Sequence, residues 1–471
     1  MGNLAEKKKK KMVMPDTFII VAAVVLLMAI LSWIIPSGTY DYQEMEINGR
    51  IRSVAIDGTF HYIDKAETSP TGFLGFFSAL YRGCVNAADI IFLIFCCSGT
   101  FGILVKTGAF HAGIGTILKK LGNKEIILVP ILMIVFGLGG SIFGMASEFY
   151  GFYPLIVGLG VALGYDAMYG FAIIALGEFI GFMGATLNPY TVGIAQAVAG
   201  VELYSGIGYR AFCFAGFMAV IIVYVVRYGK KVKRNPLLSA VYGDECIHAF
   251  HKDELDQYKL TKSNVSILIV VLITLVILMY GLIRLGWGFE ELCGLFLIMS
   301  MAAAAIDGWS ANRWVAEFLV GVKAVIWGAL LTGIAKGIVV VMSDAQIMDT
   351  IIYGLSSVLK YAPSAISAQL MLVVQTFLNF FIPSATGQAV VSMPIMAPLA
   401  DVIGVSRQVA VLAFQFGDGL SNILWPTADI VIICGLAGIP VQKWWKWFAP
   451  LCGILFVMQM IFIEIAVLMG Y

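Results

Sequence analysis

The feature that most constrains this chain is its succession of long apolar runs. They lie at about 17–35, 84–105, 125–141, 149–164, 167–200, 209–226, 265–284, 290–306, 315–341, 365–382, 389–404, 408–438 and 447–468. The hydrocarbon core of a bilayer asks for roughly 20 apolar residues per spanning helix. Only a segment that satisfies its own backbone hydrogen bonds can occupy that core. Sixty per cent of the 471 residues are hydrophobic and 13% are charged, against roughly a quarter charged in a soluble domain. The chain therefore reads as an all-α polytopic membrane protein embedded in the lipid bilayer. It shows no phosphate-binding loop, dinucleotide fingerprint or catalytic triad, which argues against an ATP-driven pump or an enzyme. No cofactor and no nucleic-acid partner are expected.

Several runs have the wrong length for a simple crossing. Segments 125–141 and 149–164 are short, and the link between them, from Gly139 to Glu148, is rich in Gly and Ser. That pattern fits a re-entrant hairpin over 125–164 whose tip is buried in protein. The pair 365–382 and 389–404 repeats it around Pro383-Ser384-Ala385-Thr386-Gly387-Gln388, a second hairpin over 365–404. Two other runs are too long and are interrupted. Run 167–200 breaks at Asn188-Pro189, and run 408–438 breaks at Trp425-Pro426. Proline removes a backbone donor and clashes with the preceding turn, so each helix must unwind there. Asn188 before Pro189 also suits the cap of a restarted half-helix.

Charge sets the expected orientation. Lys7 to Lys11 precede the first run, which has no small-residue cleavage site after it and reads as a retained helix. Loop 36–82 carries Asp41, Glu44, Glu46, Asp57, Asp64 and Glu67. The clusters Lys106, Lys119, Lys120, Lys124 and Arg227, Lys230, Lys231, Lys233, Arg234 then fall on the side of the N-terminus, as the positive-inside rule requires. The N-terminus is expected in the cytoplasm of a bacterial cell and the C-terminus outside its inner membrane. The halves also match: Pro154, Gly164 and Gly177 stand a constant distance from Pro394, Gly404 and Gly417. By this topology the hairpins enter from opposite sides. The expectation is two inverted repeats, 1–226 and 286–471, joined by a cytoplasmic loop and connecting helix at 227–285. Inverted repeats with broken helices point to a midplane site and a secondary transporter.

The strings Leu187 to Gln196, Pro383 to Ala389 and Phe414 to Asn422 resemble the YfcC-like family of the ion transporter superfamily. That superfamily's relatives include anaerobic C4-dicarboxylate carriers and arginine/ornithine exchangers. The resemblance covers nearly the whole chain. It implies a scaffold and a transport domain that moves like an elevator within a homodimer. Where relatives often carry Pro-Thr-Ser-Gly, this chain has Pro426-Thr427-Ala428-Asp429, an extra carboxylate.

Ionisable groups in hydrocarbon are costly and so are functional candidates. Glu148, Glu178, Asp418 and Asp429 lie near the tips and breaks, with Lys336 as the chief base at comparable depth. Glu178 and Asp418 each follow one of the paired glycines. This imbalance favours a cationic or zwitterionic substrate, or coupling to Na⁺ or H⁺. Restarted half-helices, by contrast, bind carboxylates without a base. An amino acid satisfies both, probed by polar groups at Asn188, Thr191, Ser384, Thr386, Gln388, Ser421, Asn422 and Thr427. A coupling Na⁺ would sit near Ser141, Asn188, Ser384 and Asn422. The alternative substrate is a small carboxylate such as a C4-dicarboxylate. The other readings of these residues are structural. Glu178 and Asp418 would serve frayed backbone, Glu148 would be hydrated, and Trp444, Trp445 and Trp447 would form an interfacial belt. Arg313 and Glu317 read as loop residues. Cys246, His248 and His251 lack the fourth ligand of a metal site.

Overall fold

The computed structural model describes residues 16–47, 50–121, 127–244, 260–281, 287–359 and 364–471, together with Cys246, His248 and Leu285. Lys7 to Lys11, Lys124 and His251 lie outside the described residues. The chain is built from helices α1 (Thr17–Ile34), α2 (Phe73–Asn86), α3 (Ala88–Lys106), α4 (Ala109–Leu121), α5 (Leu128–Leu138), α6 (Phe152–Ala162), α7 (Ala167–Met183), α8 (Val192–Ala199) and α9 (Ile207–Arg234). After the loop come α10 (Lys262–Tyr280), α11 (Phe289–Ile306), α12 (Ala311–Asp344), α13 (Met348–Leu359), α14 (Ser364–Phe381), α15 (Ala385–Val402), α16 (Arg407–Ser421), α17 (Ile430–Ala437) and α18 (Val441–Leu468). Among the described residues six helices, α1, α3, α9, α11, α12 and α18, are long and apolar enough to cross a bilayer.

The all-α architecture holds, with one addition in a loop and two corrections. The loop after α1 holds two antiparallel strand pairs, β1 (Gly38–Thr39) with β4 (His61–Tyr62) and β2 (Tyr42–Ile47) with β3 (Arg50–Ala55), the latter in register Tyr42↔Ala55. Arg313 and Glu317 belong to the first turns of α12, whose start is capped by Ser310. Trp444 and Trp447 do not form an interfacial belt: both are buried, for a reason given below.

The first hairpin is α5, a π-turn at Gly139–Phe143, an irregular tip and α6. Its 11-residue arms are about 17 Å long at 1.5 Å per residue, too short to cross. The second hairpin, α14 and α15, has 18-residue arms. Both hairpins end on the same local geometry. Gly164 and Gly404 take left-handed φ values of 81° and 73°. Tyr165 N–H reaches back to Gly160 and Val405 N–H to Ala400, the six-to-one bond of a Schellman turn, where a β-carbon would be strained. Asp166 and Ser406 then cap α7 and α16 by accepting from Tyr169 and Val409 N–H. The half-helices α8 and α17 close with a second matched pair of turns at Gly200 and Gly438 (φ 66° and 67°).

The two broken helices lie side by side. Arg407, at the head of α16, donates to the carbonyl of Ala199 at the tail of α8 (2.8 Å), and Gln196 bonds Gln408 (3.0 Å). At the other end Phe171, near the head of α7, packs edge-on against Trp444, just past the tail of α17. In the middle, Gln415 donates to the Phe182 carbonyl. A β-carbon on Gly419 would come within 2.3 Å of the Met183 backbone. Each head therefore lies by the other's tail, and the two chains run antiparallel with their breaks at one level.

Candidate substrate site

The site follows from what unwinding leaves behind. In the first break α7 stops at Gly184 and α8 restarts at Val192, so the backbone of 184–191 must find other partners. The π-turn of the first hairpin supplies them. Thr186 and Leu187 N–H donate to the Ser141 carbonyl, at 3.0 and 3.2 Å. Ser141 Oγ donates to Gly184 O (3.2 Å). Asn188, fully buried, donates to Gly140 O (3.1 Å) and accepts from Tyr190 and Thr191 N–H. It thus holds the turn that leads into the restart. The N-cap itself is Thr191, so Asn188 and Pro189 stand before the helix rather than at its cap and first turn as expected. Thr191 is buried with its hydroxyl unpaired.

The second break uses an amide pair. Asn379 of α14 donates from Nδ2 to Asp418 Oδ1 (2.9 Å) and to Asn422 Oδ1 (3.1 Å), and all three side chains are buried. Trp425 Nε1 donates to Thr376 O. The carbonyls of Ile423 and Leu424, orphaned by the break, accept from Trp444 Nε1 (2.9 Å) and Trp445 Nε1 (2.8 Å). That is why these tryptophans turn inward: they staple the break to α18. Ser421 bonds back to Gly417 O and Asp418 O. Gln388 donates to Gln375.

The hairpin tips cross over to the opposite breaks. Thr386, at the second tip, donates to Tyr190 O in the first break (2.9 Å). Tyr150, beside the first tip, donates to Asp429 in the second break (2.9 Å). Asp429 lies within electrostatic reach of both Glu178 and Asp418. Glu178 accepts from Tyr153 (2.8 Å), and its other oxygen has no partner within the protein. Glu148 accepts from Ala146 N–H and is half-buried, so it is not simply a hydrated edge residue. A cavity of about 50 Å³ opens between Lys336, Pro383, Thr427 and Asp429. Thr427, Asn379 and Gln388 each present a buried unpaired polar atom.

Of the sequence candidates, Glu148, Glu178, Asn188, Thr191, Thr386, Asp418, Asn422, Thr427 and Asp429 are brought to the crossing tips and breaks. Gln388 faces the Gln375 amide in the hairpin. Ser421 is spent within its own helix. Ser384 is exposed and caps α15, and among the described residues no hydrogen bond joins it to Asn422. Ser141 and Asn188 do converge, while Ser384 and Asn422 do not. The sequence reading missed Tyr150, Tyr153, Gln375 and Asn379. Gln375 and Asn379 stand four apart in an apolar run, a polar stripe on one helix face, and that was the available signal. A second cavity, about 220 Å³, lies among α3, α6 and α12, lined by Lys106, His111, Glu317 and His248. His248 Nε2 lies 2.8 Å from the Leu436 carbonyl near the end of α17, and burial pushes its pKa down to about 4.

A family model described as "C4-dicarboxylate anaerobic carrier" matches residues 14–468. The chain belongs to that family. It is a multi-pass membrane transporter and not an enzyme. A relative from Escherichia coli K12, named "Putative basic amino acid antiporter YfcC", is 32% identical over 94% of each chain. An uncharacterized protein of Haemophilus influenzae is 31% identical over 88% of this chain and 82% of its own. Two solved transporters overlap loosely, each at a TM-score of 0.43. The YdaH transporter of Alcanivorax borkumensis is 14% identical over 97% and 99% of the two chains. MtrF of Neisseria gonorrhoeae, described with a class of antimetabolite efflux pumps, is 17% identical over 97% and 96%.

Proposed function

We propose that this carrier moves amino acids, basic ones such as arginine and ornithine, by exchange or cation-coupled uptake between two inverted halves. The observation that carries the reading is the charge at the crossing point. Glu148, Glu178, Asp418 and Asp429 gather there, and Lys336 is the base that shares a cavity with Asp429. An α-amino or guanidinium group suits the surplus carboxylates. The α-carboxylate suits the positive N-terminal end of α8 or α17. Antiparallel broken helices with matched turns support the inversion, and an inverted pair supports alternating access. The name of the Escherichia coli relative agrees with this substrate class.

The 50 Å³ cavity holds one or two waters at about 30 Å³ each, far short of an amino acid. The tips must therefore separate from the breaks for substrate to enter, and the Thr386–Tyr190 and Tyr150–Asp429 bonds are the contacts that part. Elevator motion is the proposed form of that separation. The second reading, a carrier of small carboxylates coupled to Na⁺ or H⁺, is favoured by the family's description and by the half-helix N-termini. Thermal unfolding of the purified protein separates them, because a ligand that binds the folded state raises the melting temperature by mass action. Stabilisation by arginine or ornithine and none by succinate or fumarate supports the first reading; the reverse pattern moves the assignment to the second.

A further inference from the structure

A third cavity lies away from the crossing breaks, beneath the strands of the loop between α1 and α2. It measures about 220 Å³ and is lined by Tyr40, Asp57, Phe60, Tyr353, Ser356 and Ser357, with Ile395 of the second hairpin closing one wall. The floor is rigid. Phe60 stacks on Tyr353 with centroids 4.2 Å apart and planes 7° from parallel, and Tyr40 packs against the same ring. Asp349 fixes the strands to α13: it accepts from Tyr42 Oη (2.9 Å), Tyr40 N–H (3.1 Å) and Thr39 Oγ1 (3.2 Å). Those bonds commit Asp349 to structure and leave exposed Asp57 as the carboxylate of the cavity. Among the described residues no lysine, arginine or histidine lines it. Ser356 lines the cavity with its side chain 2% exposed, and its hydroxyl has no hydrogen-bond partner within the protein. An unpaired buried hydroxyl is unfavourable, and a ligand that bonds it removes that cost.

We infer that this cavity is a binding site for a small organic cation bearing an ammonium or guanidinium group. The carboxylate of Asp57 would meet the charge, the aromatic wall would add cation–π attraction, and the serine hydroxyls would accept N–H bonds. The volume lies below the roughly 300 Å³ of drug-sized pockets, so the ligand is of amino-acid or diamine size. Ile395 belongs to α15, so the cavity borders the hairpin whose tip holds Tyr190. This inference does not rest on what the central site transports.

The test uses the full-length protein in detergent, with Ser357→Cys as a reporter. The native cysteines are all buried or half-buried, and the unsubstituted protein labelled in parallel gives their background. The rate of maleimide labelling at position 357 is measured with arginine, ornithine, and citrulline as a neutral analogue of arginine. Arginine or ornithine is expected to slow labelling at least fivefold and citrulline to leave it unchanged. Asp57→Asn is expected to raise the half-protecting concentration at least tenfold, and Glu178→Gln to leave it unchanged. The inference is overturned if neither cation protects, if citrulline protects equally, or if Asp57→Asn has no effect. Loss of protection in Glu178→Gln overturns it too, because the signal would then report the central site. Transport by either substrate class leaves this readout unaffected.

Discussion

Asn379→Leu is the most informative single change, because it removes two buried hydrogen bonds at nearly constant volume. Asn379 Nδ2 serves Asp418 Oδ1 at 2.9 Å and Asn422 Oδ1 at 3.1 Å. What remains to Asp418 is Asn422 Nδ2 at 3.5 Å, at the limit of a real bond. A hydrogen bond to a charged group contributes about 1.5–3 kcal/mol and a neutral one about 0.5–1.5, so the expected loss is about 2–4.5 kcal/mol. Part of it should vanish when Asp418 is already changed. In a double-mutant cycle with Asp418→Asn, unfolding in mixed micelles should show a coupling energy of about 1.5–3 kcal/mol, typical of directly bonded partners. Additivity within about 0.5 kcal/mol would refute the claim that Asn379 acts by holding the Asp418 carboxylate.

Three further outcomes are expected. Trp444→Phe keeps the ring packing but orphans the Ile423 carbonyl, so stability should fall by about 1–3 kcal/mol; a denaturant midpoint equal to the native protein's would contradict the staple. Gly144→Ala adds a β-carbon at φ +68° and within 2.5 Å of Asn188 Oδ1. Uptake should drop at least tenfold while gel filtration shows folded protein, and full uptake would show that the close approach of Gly144 to Asn188 does not shape the site. For His248, whose folded pKa of about 4 lies below the ordinary 6.5, the neutral form is the docked one. Its contribution is present above pH 6.5 and is lost as pH falls towards 4. Between pH 7 and pH 5 the native protein should lose about 2 kcal/mol more stability than His248→Phe, read from paired unfolding curves; parallel curves would show that His248 docking is not pH-linked.

Much of this site was legible because its signals are covalent. Pro189 and Pro426 cannot continue a helix, so both breaks stand where the prolines put them, although the restart is capped at Thr191 and not at Asn188. The paired glycines at 164 and 404 likewise forecast the matched turns. What escaped the sequence was partnership across distance. A tryptophan cluster at a helix start reads as an interfacial belt until carbonyls orphaned by a break 21 residues earlier are seen to need donors. Tyr150 and Asn379 are single polar groups in apolar stretches, and only packing shows which acid each one serves. The strand pair was legible and missed. Tyr42–Ile47 and Arg50–Ala55 flank Asn48-Gly49, a strong short-range hairpin signal, but the segment's acidity had marked it simply as a loop. Helix α9 also outruns its apolar stretch, ending at Arg234 with Lys231, Lys233 and Arg234 in its last turn, where cations favour the negative end of the dipole.

The central claim concerns substrate, and counterflow in proteoliposomes tests it most directly. Vesicles loaded with ornithine and diluted into labelled arginine should accumulate label transiently above equilibrium. Glu178→Gln and Asp418→Asn should each reduce that accumulation at least tenfold and alter its dependence on pH or Na⁺. Counterflow of succinate or fumarate with none of arginine, or undiminished arginine counterflow in both variants, would contradict the account.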